Sequence, residues 1–550
     1  MSHLPFPVLR WAGLCLAAVV LSTMDSRGAT LVAGPGDAGL RAAIAKAQTG
    51  DTVVLIERVE VLSPVYIDKA LTLEVDPAMA YRIWIQGSFS GELLRVAAQG
   101  ITLNRVRLIG SPVTDGLRVV EDVVLRDCMI TDCRAPVVDD SWPSSATVRL
   151  ERVMASFNRQ GLESGNLDAK DCTFSFNGGY AGVGGYNAYL DGCRIENNQG
   201  DGLILTYGTA RNCTFRFNGG MGIRFDPDPG ILNLSGCMFY ANTGGGILLR
   251  EEAIATVDNC TFTRHTGPPA VIVAEANNIL FRHCTIADNV VVGGEPGWWP
   301  AFPVGGAFSI QSAARIELQN CLIADNPSIE DPNASGLVGE FFDGGGNVIG
   351  GPAGLGVLRD NGGPTLSLLP LPGSPAIDAG VASELVLDAR GLSRLAGAAP
   401  DAGAVESGAA ALADVDADGL PDIWETFRGL SSADPADAAS DVDGDGVTAL
   451  DEFRSRTDPN DAQSVLRIDE VFLLPPPVLQ QGQRLIYIFW RYSPGVTYEV
   501  QTSTDLRLWH KASGSLHTAS PWSESRLVYE IQAESPKSFY RVAVKVSPFD

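Results

Sequence analysis

The sequence predicts an all-β protein whose main body is a right-handed parallel β-helix solenoid. Short runs of aromatic and β-branched residues alternate with turn residues along most of the 550-residue chain, which contains 60 Gly and 33 Pro. A six-residue pattern recurs about every 22 residues, without long amphipathic helices between its copies. The hydrophobic content of 45% excludes a mainly disordered chain.

Residues 1–28 have the composition of a secretory signal peptide. Arg10 supplies the positive flank, residues 11–22 form an apolar core, and Ser26-Arg27-Gly28 offers a cleavage site between small residues. The alternative, a membrane anchor, is disfavoured because the apolar core is shorter than the roughly 18 residues that span a bilayer. We therefore expect an exported protein, extracellular or on the cell surface, with no transmembrane segment in the mature chain.

The repeat has the form Cys-x-Phe/Ile-x-x-Asn. Its clearest copies are 172–177, 193–198, 213–218, 237–242, 284–289 and 321–326. Weaker copies place Val106, Cys128, Val153 and Cys260 at the first position, so copies start 19 to 25 residues apart until a last step of 37. The L-x-x-L-x-L signature of the rival leucine-rich repeat solenoid is absent from the sequence.

Alternating apolar and mixed positions within each copy predict a strand with one face inward, and the Asn then marks a corner. After each Asn, a Gly-rich turn leads into a second strand, as in residues 202–205. Parallel crossovers are almost always right-handed, which predicts the hand of the coil. Stacked turns would let a column of asparagines hydrogen-bond as a ladder: Asn158, Asn177, Asn198, Asn218 and Asn242.

The open N-terminal end of such a stack needs a cover over its strand edges. Asp37 is predicted to cap a short helix that places Leu40, Ile44 and Ala47 on its inner face and is ended by Gly50.

Nine cysteines remain after removal of residues 1–28, and eight of them occupy the first repeat position. We expect these to stack inward as free, buried thiols that behave as small hydrophobic side chains. Cys133 departs from this rule, because it falls at an Asn-ladder position. A zinc site is disfavoured because no His residues are interleaved with the cysteines.

Residues 29–340 resemble the pectate-lyase-like parallel β-helix repeats of exported bacterial proteins. Residues 341–408 resemble a choice-of-anchor Q ending of such a β-helix, through the motifs at 360–365, 372–380, 388–391 and 401–406. The resemblance implies a secreted or surface-associated bacterial protein. It fixes no reaction, because this fold carries both enzymes and adhesins.

Residues 409–464 form an acidic segment with 14 acidic and 3 basic residues, in a chain of formal charge −25. Such a segment repels nucleic acid and attracts cations. Its stretches 414–425 and 441–452 both have the D-x-D-x-D-G-x5-E spacing of calcium-binding loops. The segment resembles thrombospondin type 3 repeats, with dockerin as the runner-up. Paired EF-hands fit less well, because Pro421 lacks an N–H and the flanking helices are weak.

The predicted cofactor is Ca²⁺, which takes about six to eight oxygen ligands. We interpret the segment as a structural spacer that the ion orders. In the second loop Ala449 replaces an oxygen ligand, so a water is expected there. The predicted ligand residues are Asp414, Asp416, Asp418, Leu420, Asp422 and Glu425 in the first loop, and Asp441, Asp443, Asp445, Val447 and Glu452 in the second.

Residues 465–550 predict a C-terminal β-sandwich. Strand-like runs at 485–490, 498–501 and 539–544 are separated by polar turns. The pattern resembles a fibronectin type III-like domain of exported bacterial proteins, and we expect Trp509 to pack in its core.

The favoured function is noncatalytic binding or adhesion to glycans or cell-surface material. The last repeat step, of 37 residues, leaves room for a loop with Trp298, Trp299 and Phe302 between glycines and prolines. Adjacent aromatic rings can stack on sugar rings, although they can also fold back over the solenoid. A further possibility is that the β-helix is only a passenger for the C-terminal domains.

The alternative function is a polysaccharide lyase or glycoside hydrolase acting on an acidic polysaccharide. Such enzymes need paired carboxylates, or calcium with a basic residue, on one strand face. The catalytic candidates, counted outward from the ladder on neighbouring rungs, are Arg224, Asp226, Asp228, Arg250 and Glu252. An enzyme is disfavoured because the sequence lacks the G-H-G element of polygalacturonases and the usual pectate-lyase motifs, and because His265 falls at a ladder position.

Overall fold

The computed structural model describes most of the chain after the predicted signal peptide. The described residues are 28–79, 82–141, 146–226, 230–250, 252–274, 276–290, 306–311, 315–327, 336–408, 413–455, 457–462, 464–466, 468–473, 485–491, 498–504, 507–512, 514–518, 526–532 and 539–544. None of the helices in these ranges is long and apolar enough to cross a membrane.

The main body is a parallel β-helix of about a dozen turns, and each full turn contributes strands to three sides. One continuous sheet of 23 strands wraps two sides of the solenoid, and a second sheet of 13 short strands forms the third side. Residues 201–211 show how two sides join, because residues 203–205 pair with 223–225 while residues 208–211 pair with 232–235. The predicted parallel solenoid is therefore confirmed.

The strands divide among the sides as follows. Three long strands cross both the first and the second side: Leu162–Lys170, Ala181–Asp191 and Asp201–Arg211. The first side also has Val65–Ile67, Gly91–Val96, Thr114–Val119, Val137–Asp139, Ile223–Phe225, Ile247–Arg250, Val271–Ala274, Phe308–Gln311 and Leu337–Val338. The second side also has Thr30–Val32, Thr52–Leu55, Thr72–Val75, Ile101–Asn104, Val123–Arg126, Thr147–Glu151, Ile231–Ser235, Ile254–Asp258, Asn278–Arg282, Arg315–Gln319 and Phe342–Asp343. The third side has Val59–Glu60, Ile85–Gln86, Arg107–Ile109, Met129–Thr131, Met154–Ser156, Thr173–Ser175, Arg194–Glu196, Thr214–Arg216, Met238–Tyr240, Thr261–Thr263, Thr285–Ala287, Leu322–Ala324 and Val348–Ile349.

The core consists of columns of like side chains, because parallel strands in register place equivalent residues above one another. Phe215, Phe239 and Phe262 stack with ring centroids 5.0 and 4.5 Å apart. All nine cysteines of the described chain are buried with free thiols, as predicted.

Each turn bends sharply on both sides of its third-side strand. The residue before the Cys position and the residue before the Asn position both adopt left-handed backbone, as Asp171 (φ 53°) and Phe176 (φ 56°) do in one turn. Such a conformation is costly for a bulky side chain. The Phe176 ring stacks on that of Phe157 at 4.8 Å, a contact that favours the repeated bend.

The predicted asparagine ladder runs along one corner of the solenoid. The side-chain oxygen of Asn218 accepts the backbone N–H of Asn198 at 3.1 Å, and its amide donates to the carbonyl of Ile195 at 3.0 Å. The Asn218 N–H in turn donates to Asn242 at 3.0 Å. Each buried corner group therefore finds its partner on the neighbouring turn.

Two other residues stand in this ladder, as their spacing predicted. Cys133 donates its backbone N–H to Asn158 at 3.0 Å. His265 accepts the N–H of Asn242 through Nδ1 at 3.1 Å, and burial lowers the pKa of His265 to about 4. A neutral imidazole thus replaces an amide at this corner, and His265 is a corner residue.

The N-terminal cover is a helix, Gly36–Lys46, whose Leu40 and Ile44 are buried against the first turns. The predicted capping role of Asp37 is wrong. Pro35 occupies the cap position without a side-chain hydrogen bond, and Asp37 pairs with Arg41 at 2.7 Å one turn later. The helix also ends before Gly50.

Residues 341–408 pack along the third side with little regular structure. Leu358 and Leu368 cover Met238 and Ala287, which point outward from third-side strands. Buried polar groups fix the segment further, since Arg394 donates to Asn259 at 2.6 Å.

The remaining helices of the described ranges are short. They are the 3₁₀ helices Pro77–Met79 and Asp437–Ala439 and the α-helices Asp422–Arg428 and Ala449–Ser455.

The C-terminal part forms two small antiparallel sheets that pack through Ile488, Tyr498 and Val500. One sheet comprises Ile468–Leu473, Leu485–Arg491, Arg526–Gln532 and Gly514–Thr518, and the other comprises His510–Lys511, Tyr498–Ser503 and Phe539–Val544. The prediction that Trp509 packs in this core is wrong. Trp509 is only partly buried and is not among the described residues of the buried cluster; its ring lies under the guanidinium of Arg541 at 4.4 Å.

Replacing Asn218 by Ala should lower the free energy of unfolding by roughly 1–3 kcal/mol, because the change leaves the Asn198 N–H and the Ile195 carbonyl unpaired at a buried corner. Denaturant unfolding of the full chain would measure the change. The matched control is Asn233→Ala, at an exposed outward position of a second-side strand. A loss equal to that of the control would show that the ladder does not stabilise the corner.

Candidate functional site

The long strands of the first side border a groove of about 530 Å³. We term it the tyrosine groove, lined by residues 139, 141, 160–165, 179–181, 184–186, 204–206 and 226. Outward positions of successive turns stack in one column here: Glu163 lies beside Gly184, and Gly184 beside Ile204. The groove thus runs across three adjacent turns of the solenoid.

The floor of the groove is low because Gly184 and Gly185 have no side chains at positions where the neighbouring turns have Glu163 and Ser164. A Cβ at Gly184 would have ordinary van der Waals contact with Glu163, the nearest atom lying at 3.8 Å. Glycine is therefore not required there by a close contact. Its effect is to keep the surface concave.

Tyrosine rings stand at the border of the groove. Tyr180 is 93% exposed and Tyr186 is 43% exposed. Tyr186 lies at the bend between the first and second sides, where its ring centroid is 5.4 Å from that of Tyr207 on the next turn. Tyr189, 61% exposed, continues the aromatic surface onto the second side. Tyr186 and Tyr189 are on the strand Ala181–Asp191, and Tyr180 directly precedes it. Tyrosine rings offer apolar faces at a low cost in conformational entropy.

The predicted catalytic candidates do not form one cluster. Arg224 pairs with Asp201 at 2.6 Å, and the Asp201 side chain is only 3% exposed. Burial raises the pKa of Asp201, and the charge of Arg224 opposes that shift. Asp226 pairs with Arg250 at 3.7 Å. Two separate ion pairs therefore replace the expected group of converging charges.

The other candidates lie elsewhere. Glu252 is exposed at the turn that follows the first-side strand 247–250. Asp228 and the predicted binding residues Trp298, Trp299 and Phe302 lie outside the described residues. Of the predicted candidates, only Asp226 lines the tyrosine groove. Tyr180 and Tyr186 were not predicted, because neither belongs to the repeat.

The first acidic loop gathers carboxylates as predicted. Oxygens of Asp414, Asp416 and Asp418 lie within 4.8 Å of one another. A second set, also within 4.8 Å, joins Asp418 to Glu425 and to Asp437, which was not predicted. Asp437 begins the 3₁₀ helix after the first loop. The repeat of Asp434-Pro-Ala-Asp437 in Asp458-Pro-Asn-Asp461 was the signal that could have found it.

The carboxyl group of Glu425 is fully buried, and neither of its oxygens has a hydrogen-bond partner among the described residues. Burial raises its pKa to about 7, and the charges of Asp418 and Asp416 add to the shift. Buried oxygens of Asp416, Asp418 and Asp437 likewise lack partners within the described ranges. Unpaired buried carboxylates facing one another fit a divalent cation.

Two predicted ligand residues of the first loop, Asp422 and Leu420, also make contacts within the protein; the predicted ligand atom of Leu420 is its backbone carbonyl oxygen. Asp422 accepts the backbone N–H of Val415 at 2.8 Å, which closes the loop against the N-terminus of helix 422–428. The side chain of Leu420 is buried beside Trp424 in the small apolar core of the segment. Gly419, with φ of 96°, makes the sharp turn that the motif requires.

The second loop repeats this arrangement. Oxygens of Asp441, Asp443 and Asp445 lie within 4.8 Å of one another. Glu452 is fully buried, and both its oxygens lack a partner in the part of the chain that the structure describes. Burial raises its pKa to about 8, and the charge of Asp443 adds to the shift. The backbone N–H of Val447 donates to Asp445 at 2.8 Å.

Helix 422–428 also attaches the acidic segment to the body of the protein. The Trp424 indole donates to Asp360 at 3.2 Å, and Asp360 belongs to the segment that covers the third side. Arg428 lies 3.8 Å from Asp360 and 3.1 Å from Asp458. Glu425 faces the carboxylate cluster from the same helix, so one element connects both contacts.

One family model agrees with the β-helix. A family model described as right handed beta helix region matches residues 183–351. Among solved structures, pectate lyase Pel9A is 13% identical, with 66% of this chain and 90% of that chain covered and a TM-score of 0.35. Full-length tailspike protein 2 from Escherichia coli O157:H7 bacteriophage CAB120 is 10% identical, with 58% and 46% covered and a TM-score of 0.32. No curated protein matches the sequence.

In the presence of a chelator, the acidic segment should be more stable near pH 5 than near pH 8. The pKa values of about 7 for Glu425 and about 8 for Glu452 exceed the roughly 4.3 of an unfolded glutamate. The folded form therefore retains protons that the unfolded form has lost, and stability falls as pH rises between these values.

Hydrogen exchange of residues 413–466 in a chelator at several pH values would measure this loss. The variant Glu425→Gln with Glu452→Gln is the control, because its amides do not titrate and the pH dependence should flatten. A segment that gains stability as pH rises would contradict the burial of these two carboxyl groups.

Proposed function

We propose that this protein is exported by residues 1–28 and binds a glycan chain, without cleaving it, in the tyrosine groove. The observation that supports this function best is the pair of exposed rings, Tyr180 and Tyr186, beside a glycine floor. A pyranose ring has apolar faces that pack on an aromatic ring, while its hydroxyl groups keep contact with water. The groove crosses three turns, so an extended polymer would suit it better than a small compact ligand.

The rigidity of the support favours binding as well. Leu162, Val183 and Leu203 point inward beneath the groove and are buried in the solenoid core. Backbone pairing between the long strands holds their outward positions in place. The backbone of the groove is therefore already ordered before a ligand binds, which lowers the conformational entropy lost on association.

The ion pairs of the first side favour binding over catalysis. A lyase or hydrolase needs an acid, base or nucleophile that is free to react with the substrate. Arg224 is tied to the buried Asp201, and Asp226 lies beside Arg250. The runner-up function remains a polysaccharide lyase or glycoside hydrolase, with Asp226 as the candidate that reaches the groove.

Replacing Tyr180 and Tyr186 together by Ala should weaken glycan binding by about five- to thirtyfold, because two stacking surfaces are lost. A glycan-array screen followed by calorimetry on the best ligand would measure the effect. Tyr66→Ala is the matched control, since Tyr66 is 57% exposed on the same side but lies four turns from Glu163.

Two results would contradict this function. Full binding by the double tyrosine variant, with loss in a Trp298→Ala and Trp299→Ala variant, would move the site to the loop around residue 300. Release of reducing or unsaturated sugar ends that Asp226→Asn abolishes would establish the enzyme instead.

We further propose that the acidic segment binds two Ca²⁺ ions, one in each loop. Oxygen ligands alone, with glycine at the sharp turn, suit a hard cation of this size. Asp437 joins the predicted ligands of the first site. The ions would neutralise carboxylates that otherwise repel one another, and would thereby hold helix 422–428 where Trp424 and Arg428 contact Asp360.

The same proposal includes an identity for each of the three remaining segments. Residues 341–408 would be a choice-of-anchor Q-like ending, residues 409–464 thrombospondin type 3-like repeats, and residues 465–550 a fibronectin type III-like domain. Together they describe a surface protein in which calcium fixes the spacer between the β-helix and the last domain. The β-helix would carry the ligand and the remaining domains would place it.

Calcium should stabilise the acidic segment and so raise its unfolding midpoint. At a free calcium concentration one hundred times the Kd, one bound ion adds about 2.7 kcal/mol to the free energy of unfolding. Calorimetric titration of the full chain would show the binding heat. Asp416→Ala with Asp443→Ala should remove that heat, whereas Asp451→Ala, an exposed acid of the same segment outside both clusters, should retain it. Unchanged binding in the double variant would refute both sites.

A further inference from the structure

The side chains that line the tyrosine groove carry charge of one sign. Asp139, Glu163 and Asp226 supply three carboxylates, and no Lys, Arg or His stands among the described lining residues. The neighbouring segments that the structure does not describe, 142–145 and 227–229, contain no basic residue in the sequence either. A polymer of uronic acids would therefore bring its own carboxylates against those of the groove.

Two arginines near the groove, Arg224 and Arg118, are already paired. Toward the C-terminus, Arg224 contacts the buried Asp201. Toward the N-terminus, Arg118 contacts Asp115, which is fully buried, at 3.0 Å and Asp140 at 2.9 Å. Releasing Arg224 to an anionic ligand would leave the buried Asp201 without its ion-pair partner, which is costly. Releasing Arg118 would break its contacts with both Asp115 and Asp140, although Arg134 would still pair with Asp115 at 2.6 Å.

The three groove carboxylates differ in their freedom to contact a ligand. Asp139 accepts the backbone N–H groups of Ser141 and Gly165, both at 2.8 Å, so its oxygens are already occupied. Glu163 is exposed and makes no ion pair with any residue in the described ranges. Asp226 is 41% exposed at the far border, with Arg250 at 3.7 Å, beyond hydrogen-bond distance. Glu163 thus remains as an unpaired acceptor within the described ranges, and Asp226 can accept a further donor in addition to its ion pair with Arg250.

We propose that the tyrosine groove selects a glycan that bears protonated amines, such as a partly N-deacetylated amino-sugar polymer. This inference rests on the proposed glycan-binding function and names its ligand class. Tyr180 and Tyr186 stack on the sugar faces, while Glu163 and Asp226 accept charge-assisted hydrogen bonds from ammonium groups along the chain. The acidic lining disfavours uronic-acid polymers by repulsion.

Three short, soluble oligomers of equal length distinguish the ligand classes: a chitosan oligomer, the same oligomer after complete N-acetylation, and an oligomer of polygalacturonate. Affinity would be measured on the full-length secreted protein at about pH 6, where glutamate and aspartate are ionised. We expect chitosan to bind at least about tenfold more tightly than its acetylated form, and polygalacturonate not to bind. The preference should shrink as salt rises, because charge attraction is screened.

Glu163→Gln with Asp226→Asn should weaken chitosan binding by about three- to tenfold and leave binding of the acetylated polymer unchanged. The matched control is Asp168→Asn, an exposed acid on the same strand as Glu163 but on the second side, 3.9 Å from Arg149. The chain carries a formal charge of −25, so nonspecific attraction to chitosan affects all variants alike and the control measures it.

The outcomes separate this inference from the function on which it rests. Equal binding of chitosan and its acetylated form, or unchanged chitosan binding by the double carboxylate variant, would overturn the ligand class while glycan binding stands. Preference for polygalacturonate would overturn it too. If no polymer binds, or if Tyr180→Ala with Tyr186→Ala retains full affinity for all of them, the glycan-binding function itself fails.

Discussion

The structure depends above all on the register with which each turn of the solenoid lies on the next. Parallel pairing satisfies the backbone N–H and C=O groups of the strands. The residues at the corners are outside this pairing, so their buried polar groups need other hydrogen-bond partners. The asparagine column supplies it, since each amide joins its own turn to the turns before and after it, as Asn218 does between Ile195 and Asn242. A shift of one residue would break every such contact at once, so this corner fixes the register of all three sides.

A fixed register makes the interior uniform and leaves variation to the outer surface. Columns of buried apolar side chains, Val, Leu and Ile in the first turns and Phe and Cys as well in later ones, fill the core, so every turn has an apolar interior. The three outer sides do differ. Residues 341–408 cover the third side through Leu358 and Leu368, whereas the first side retains an open groove where Gly184 and Gly185 interrupt a column of larger side chains. Ligand recognition is therefore a property of local exceptions to the repeat.

This division explains what the sequence could predict. Residues at the repeat period, such as Cys133 and His265 in the ladder, could be placed from spacing alone. Tyr180 and Tyr186 could not, because neither recurs from turn to turn and their surroundings come from residues about twenty positions away. Arg224 was misjudged for a related reason, since its partner Asp201 belongs to the preceding turn and is buried beneath it. Helix caps also depend on local detail, and Asp37 paired with Arg41 instead of capping.

The acidic segment follows a different physical rule, because its fold depends on charge more than on apolar burial. Its small core of Leu420, Trp424 and Ala449 is surrounded by carboxylates, two of which, Glu425 and Glu452, are buried without partners in the described chain. Protonation of the carboxylates or binding of a cation can lower the free-energy cost of burying them. Only the cation does so while the carboxylates stay ionised. Trp424 and Arg428, which contact Asp360, lie on the same short helix as Glu425, so a change at the carboxylate cluster acts on the element that attaches the segment. Charge balance at the carboxylate cluster therefore bears on the contact between the acidic segment and the residues that cover the third side.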